Sequence, residues 1–322
     1  MPAKALSASL LFSILYFFAS GTTNHAFAQA WTMPKGEYFV KITGSSVTAS
    51  DQYTFDGRTV DFVDGVQGNA FMDQSLYLYG EFGFFENITL VLSLPYKRTF
   101  IEDLAFKYQT FALGSGTVGA RFSLLPLLGA KPSALSLSLN LGAHIPLGYT
   151  RNFAPSVGAG QIDAQATLGI GYSFYPVAAY VQAGGGYRYR SSQYMFSKAT
   201  GCNVGSDINC IRDLQPTFGD EFLFSAEAGM AFMNGMLFFQ ALGHGVWSVN
   251  EPIIGFTAVN PIPTQQRYIK AGGGFSIYPF RITRIYSFAD LGIGVQYFIT
   301  PYGRNAIQSQ DIFVGIEYRI RL

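Results

Sequence analysis

The stretch Asp311-Ile-Phe-Val-Gly-Ile-Glu-Tyr-Arg-Ile-Arg-Leu322 decides the fold. Ile312, Val314, Ile316, Tyr318, Ile320 and Leu322 fall on one face of an extended chain, and Asp311, Glu317, Arg319 and Arg321 on the other, because successive side chains of a strand point to opposite sides. In a soluble sandwich the apolar face is core, and the opposite face meets water without needing a glycine-rich lining. Here the alternation recurs along the whole chain, with glycines and charges sharing a face. That combination predicts an all-β transmembrane barrel, apolar toward lipid and polar toward its lumen.

Composition points the same way. Charged residues are 13% of the chain, aromatics 16%, and glycines number 36. A soluble domain carries roughly a quarter charged residues, so this surface faces something other than water. Beyond the first thirty residues every apolar run is broken by Gly, Ser, Gln or a charge, which leaves no helix of the roughly 20 apolar residues a bilayer requires. A closed barrel remains, since lipid tolerates no unpaired strand edge. A formal net charge of +1 argues against nucleic acid as a partner.

The N-terminus reads as a secretory leader: Lys4, an apolar run from Leu6 to Ala19, a polar stretch through His25, then two overlapping small-x-small sites, Ala26-Phe-Ala28 and Ala28-Gln-Ala30. Residues 1–30 are therefore expected to be a signal peptide cleaved near Ala28 or Ala30, and residues 31–322 a single barrel in the bacterial outer membrane. Cys202 and Cys210 share one polar stretch. In an exported chain their spacing predicts a disulfide closing a small loop; metal binding lacks a nearby His or third Cys. No cofactor or metal is expected.

Alternation and turn chemistry together give about twelve antiparallel strands, near residues 36–48, 73–84, 88–98, 112–124, 134–147, 160–173, 177–190, 219–232, 235–248, 265–278, 285–299 and 309–322. Tight connections such as Phe84-Phe-Glu-Asn87 and Met233-Asn-Gly235 alternate with long polar ones, among them Ser50 to Met72, Ser191 to Phe218 and Thr300 to Gln308. Outer-membrane barrels keep short turns on the periplasmic side and long loops outside, so both termini are expected in the periplasm.

The two-residue period places Leu135, Leu137, Leu139, Leu141, Phe222, Phe224 and Met230 toward lipid. Toward the lumen it places Glu37, Lys41, Glu81, Arg121, His144, Asp163, Arg188, Arg190, Glu221, Glu227, Lys270, Asp290, Asp311, Glu317, Arg319 and Arg321. Two accounts fit this mixture of signs: ion pairs that brace the barrel, or a polar constriction that selects a solute. Aromatics near the strand ends, such as Tyr96, Tyr172, Trp247 and Tyr278, suit the interfacial girdles.

Three features resemble catalytic or cofactor motifs. Gly114-Ser-Gly-Thr-Val-Gly119 has dinucleotide-binding spacing, yet Ala120-Arg-Phe-Ser-Leu124 continues as a strand where that motif demands a helix. Gly184 to Gly186 and Gly272 to Gly274 lie in similar stretches whose strands run in opposite directions, so lumen space and bending explain them better than duplication. His144 shares a face with Asn140, Ser136 and Ser138. Strand neighbours two apart on one face are already about 7 Å apart, too far for a nucleophile–base pair along the strand. An embedded lipid hydrolase is therefore the remote alternative, and a non-enzymatic barrel the expectation.

Ala30-Trp-Thr-Met-Pro-Lys-Gly-Glu37, Leu76-Tyr-Leu-Tyr-Gly-Glu-Phe-Gly83, Ile88-Thr-Leu-Val-Leu-Ser-Leu-Pro-Tyr96, Gly160-Gln-Ile-Asp163 and Gly186-Tyr-Arg-Tyr-Arg190 resemble a family of Gram-negative outer-membrane barrels labelled MetA-pathway of phenol degradation, with XagA-like proteins close by. The resemblance spans most of the chain beyond the leader and rests on turns and strands. It implies a barrel associated with uptake of aromatic compounds, and names no catalytic residue. The last strand also resembles the barrel-assembly signal through Gly315, Tyr318 and Ile320, with Leu322 in place of the usual terminal Phe. The expected function is a passive channel or carrier for small, aromatic or hydrophobic molecules, with loop and rim aromatics such as Tyr53, Phe55, Phe62, Phe71, Phe100, Tyr149, Phe153 and Phe196 as capture sites or as packing. The alternative is a non-transporting envelope barrel or surface binding module. Expected partners are outer-membrane lipid, lipopolysaccharide, the barrel-assembly machinery and a small solute.

Overall fold

The computed structural model describes residues 30–321 except 64–65, 67, 69, 103, 105–106, 131–132, 150–154, 195–217, 251–264 and 284–287. Cys202 and Cys210, Phe153, Phe196, Leu322 and residues 1–29 of the expected leader lie outside the described residues.

The strands are β1 (Tyr38–Tyr53), β2 (Thr59–Asp61), β3 (Phe71–Phe85), β4 (Ile88–Glu102), β5 (Lys107–Leu113), β6 (Ser115–Ser123), β7 (Leu135–Pro146), β8 (Gln161–Ser173), β9 (Ala179–Tyr194), β10 (Glu221–Phe232), β11 (Leu237–Ser248), β12 (Arg267–Ile277), β13 (Leu291–Arg304) and β14 (Ala306–Ile320). All pairings are antiparallel, and β14 returns to β1 with Glu317 opposite Lys41, which closes the sheet on itself. β5 and β6 form one stave, since both pair with β4 on either side of Gly114. β2 is a short strand hung on the far end of β1. Counted this way the wall is a closed barrel of twelve staves.

Alternation fixes which face turns outward. Leu76, Leu78, Leu90, Leu92, Leu168, Ile170, Ile293 and Ile316 are exposed, whereas Asp73, Ser75, Thr89, Ser93, Ser138, Glu227, Asp311 and Glu317 are buried. A continuous aliphatic belt of this kind is an aggregation surface in water and is solvated by acyl chains in a bilayer. The chain is a transmembrane barrel of the outer-membrane type. Aromatic pairs rim the short-turn end, with Tyr38 stacked on Phe82 and Tyr172 edge-on to Phe174; Trp247 stacks on Tyr302 at the long-loop end.

Several strands run further toward the long-loop end than the alternation predicts: β1 continues to Tyr53, β4 to Glu102 and β9 to Tyr194. A strand needs only roughly 9–11 residues to cross a bilayer, so the longer staves carry the wall beyond it. The residues expected as a long loop, Thr300 to Gln308, are instead largely strand: β13 and β14 pair as far as Ile299 and Gln310, beyond which β13 pairs with β12 and β14 with β1. Only Asn305 separates β13 from β14, at a φ of 53°, a left-handed conformation that Asn adopts more readily than most residues. Its N–H donates to the Thr54 carbonyl at 2.9 Å and its side-chain amide to the Gln265 carbonyl at 2.8 Å. These partners lie far away in the chain, so the polar residues there read as a loop in the sequence. β13 begins at Leu291 rather than near 285, and two four-residue helices, α1 (Leu124–Leu127) and α2 (Phe280–Thr283), lie at short-turn connections.

Candidate functional site

The lumen is plugged at its short-turn end by the segment that precedes β1. Ala30 is 0% exposed; its N–H donates to Gln182 Oε1 at 3.2 Å and its carbonyl accepts from the Ser136 hydroxyl. Trp31 sits edge-on to Tyr180, and its carbonyl accepts from Arg121 Nη1 at 2.8 Å. The Met33 N–H donates to Thr89 Oγ1 at 2.7 Å, and the Gly36 N–H to the Gly83 carbonyl at 2.8 Å. These partners lie on β9, β7, β6, β4 and β3, so the segment crosses the lumen and is held largely through its backbone. Two glycines make the room. A Cβ on Gly83 falls 1.9 Å from the Pro34 carbonyl oxygen, and one on Gly171 falls 2.5 Å from the Trp31 ring.

Around the plug the lumen charges are paired. Arg121 and Glu81 form a buried pair at 3.1 Å, steadied by Arg121 Nε on Asn140 at 2.8 Å. Lys41 meets Glu317 at 2.9 Å and Arg319 meets Glu37 at 2.6 Å. Glu227 differs: it accepts from the Tyr180 hydroxyl, from Gln182 at 2.8 Å and from Gln240 at 2.7 Å, and has no ion pair among the described residues.

The long-loop half of the lumen encloses a chamber of about 380 Å³. On one wall Arg188 and Arg190 share Glu221 at 3.0 and 2.9 Å, and Arg190 also reaches Asp163 at 3.5 Å. His144 lies between Thr117 at 3.0 Å and Gln165 at 2.8 Å. Elsewhere around the wall Lys97 pairs with Asp73 at 2.9 Å, and Lys270 pairs with Asp311. Lys270 occupies an irregularity in the β12–β13 ladder, and such bulges re-aim side chains; here the ammonium passes β13 to reach β14. Val47, Phe71, Leu223 and Val246 supply apolar lining. Thr99 Oγ1, Gln161 Oε1, Arg188 Nε and His244 Nδ1, buried polar atoms of lining residues, have no hydrogen-bond partner among the described residues, and Arg190 Nε has only its 3.5 Å ion contact with Asp163.

Two connections at the long-loop end pack against the wall. Phe62, with Val63 and Val66, packs on Val47, Ala49, Phe71 and Ile101. Tyr149 is buried, its hydroxyl accepting from the Gly160 N–H at 2.8 Å and contacting Ser115 Oγ at 2.9 Å; burial pushes that hydroxyl's pKa up, so it stays protonated.

The structure thus brings Glu37, Lys41, Glu81, Arg121, Glu227, Glu317 and Arg319 together near the plug, and His144, Asp163, Arg188, Arg190, Glu221 and Lys270 around the chamber. Asp290 is a correction: it lies in the turn before β13, where it binds Arg281 at 2.9 Å and Arg321 at 2.8 Å, and ties a rim turn to the chain end instead of lining the lumen. Of the loop aromatics, Tyr53, Phe62, Phe71 and Tyr149 are buried, Phe71 lining the chamber, while Phe55 is exposed. Asp73, Lys97, Tyr180, Gln182 and Gln240 escaped the sequence reading. The two-residue period places each on an inward face, yet Asp73 and Lys97 sat at the margins of their expected strands and the other three are neutral. Gly315 and Tyr318 lie on β14 opposite Thr43 and Val40 of β1, at the seam that closes the barrel.

No protein-family model and no curated protein matches the chain. Among solved structures it is similar to an outer-membrane channel from Pseudomonas putida F1, with a TM-score of 0.63 at 11% identity over 93% of this chain and 100% of that one. It is also similar to the NanC porin, with a TM-score of 0.49 at 6% identity over 87% of this chain and 100% of that one. At such identity the first likeness establishes the fold, and the second is too loose to bear on function.

Proposed function

We propose that the barrel is a passive conduit for small molecules, in which the chamber admits a solute from the long-loop side and the plug yields to let it pass. The observation that carries this reading is the chamber itself. It falls within the roughly 300–1,000 Å³ of small-molecule sites, and its lining mixes apolar walls with polar atoms that the protein leaves unserved. A plug held by hydrogen bonds to lumen side chains is suited to rearrangement, because water or solute offers those groups equivalent partners. The solved channel of like fold supports the same reading, and the XagA-like resemblance extends it to aromatic compounds. With the short turns facing the periplasm, the plug guards the exit.

A second reading, a non-transporting envelope barrel, draws on the pairing of the lumen charges. Flux into proteoliposomes separates the two. We expect the wild-type barrel to admit members of a panel of small aromatics and sugars faster than empty vesicles do, and a variant lacking Ala30 to Lys35 to admit them faster still. If both behave like empty vesicles, the conduit reading fails.

A further inference from the structure

We infer that the leader is removed after Ala28, so that Gln29 is the first residue of the mature chain. Both small-x-small sites suit a leader peptidase, and only the folded barrel distinguishes them. Cleavage after Ala30 deletes a residue that the lumen has built a place for. It removes the N–H that donates to Gln182, the carbonyl that accepts from Ser136, and a methyl group lying 2.7 Å from where a Cβ on Gly171 would stand.

Charge separates the two sites as well. Hydrolysis gives the hydroxyl of water to the acyl carbon of the leader and leaves an α-ammonium on the new first residue. If that residue were Trp31, the ammonium would sit on the residue whose carbonyl already holds the Arg121 guanidinium, with Glu81 committed to Arg121. Like charges in a buried, low-dielectric site repel strongly. Cleavage after Ala28 moves the cation two residues back along the chain. Ala30 itself donates to Gln182, and Gln182 donates to Glu227, a buried carboxylate served only by neutral donors among the described residues.

N-terminal sequencing and intact-mass measurement of protein extracted from outer membranes test the assignment directly, whatever the barrel transports. We expect chains that begin at Gln29, with or without the loss of ammonia that accompanies cyclisation of an N-terminal Gln; chains that begin at Trp31 overturn it. A second chain, with the leader fused directly to Trp31, tests the structural ground. It should show a lower thermal midpoint and faster proteolysis of its first residues than the natural protein. Equal resistance in the two chains would show that Ala30 is dispensable and would sink the argument.

Discussion

The Arg121 guanidinium grips the Glu81 carboxylate through two hydrogen bonds of 3.1 and 3.2 Å, while its Nη1 also serves the Trp31 carbonyl at 2.8 Å. One cation therefore joins β6 and β3 of the wall to the segment that fills the lumen. Arg121→Met breaks both links and leaves a buried carboxylate without its partner. Removing one member of such a pair costs about 3–5 kcal/mol, so urea unfolding in lipid vesicles should shift to markedly lower denaturant. Glu81→Gln combined with Arg121→Met should recover most of that stability, since neither charge remains buried alone, yet it should not restore the plug contact. Single-barrel conductance should accordingly stay raised in the double variant. Conductance that falls back with stability would mean that Arg121 does not hold the plug.

The plug depends equally on what is missing from the wall. Gly171 has no side chain where the Trp31 ring and the Ala30 methyl lie, and Gly171→Val places three carbons there. Overpacking of this kind costs about 1–3 kcal/mol when the neighbours are fixed; a plug segment can instead move out. Trp31 fluorescence, read in a Trp247→Phe background, should shift to the red and become quenchable by iodide in Gly171→Val. An unshifted spectrum would mean that the barrel absorbs the valine without releasing the plug.

Asn305 performs two tasks between β13 and β14, and substitutions separate them. Asn305→Gly keeps the left-handed backbone and loses the bond to the Gln265 carbonyl, for a cost of about 1 kcal/mol. Asn305→Val loses that bond and also forces a β-branched residue to a φ of 53°, adding about 1–3 kcal/mol. Thermal melts in detergent should rank wild type above glycine and glycine above valine. Valine equal to glycine would remove the backbone argument.

How much of this was legible in the sequence follows from the range of each interaction. The belt and the lumen face were open to reading because the two-residue period is local: Leu90 and Thr89 declare opposite sides without knowledge of any other strand. The Thr300 to Gln308 segment misled because Asn305 bonds to Thr54, just after β1, and to Gln265, just before β12, partners far away in the chain. Trp31 shows the same limit more strongly. Its seat is made by Gly171 and Tyr180, and nothing near residue 31 signals that a glycine on β8 leaves a hollow for it. Asp290 misled for a third reason, since the turn before β13 ends later than the alternation indicates and carries the residue to the rim.

Arg188 and Arg190 bear on whether the charge belt braces the chamber or also governs what enters it. They share Glu221, and Arg190 reaches Asp163 as well, so replacing both by Ala leaves two carboxylates facing the chamber without those partners. Stability should fall, because buried charges lose their pairing; that outcome alone says nothing about passage. Charge preference does. With two cations gone, the field in the chamber becomes negative, and rings of carboxylates favour cations. In a planar bilayer under a salt gradient, the reversal potential of the double variant should move toward cation preference, and that of Glu221→Gln toward anion preference. Opposite shifts from the two variants place the belt on the permeation path. Lower stability with an unmoved reversal potential in both would confine these residues to holding the wall together.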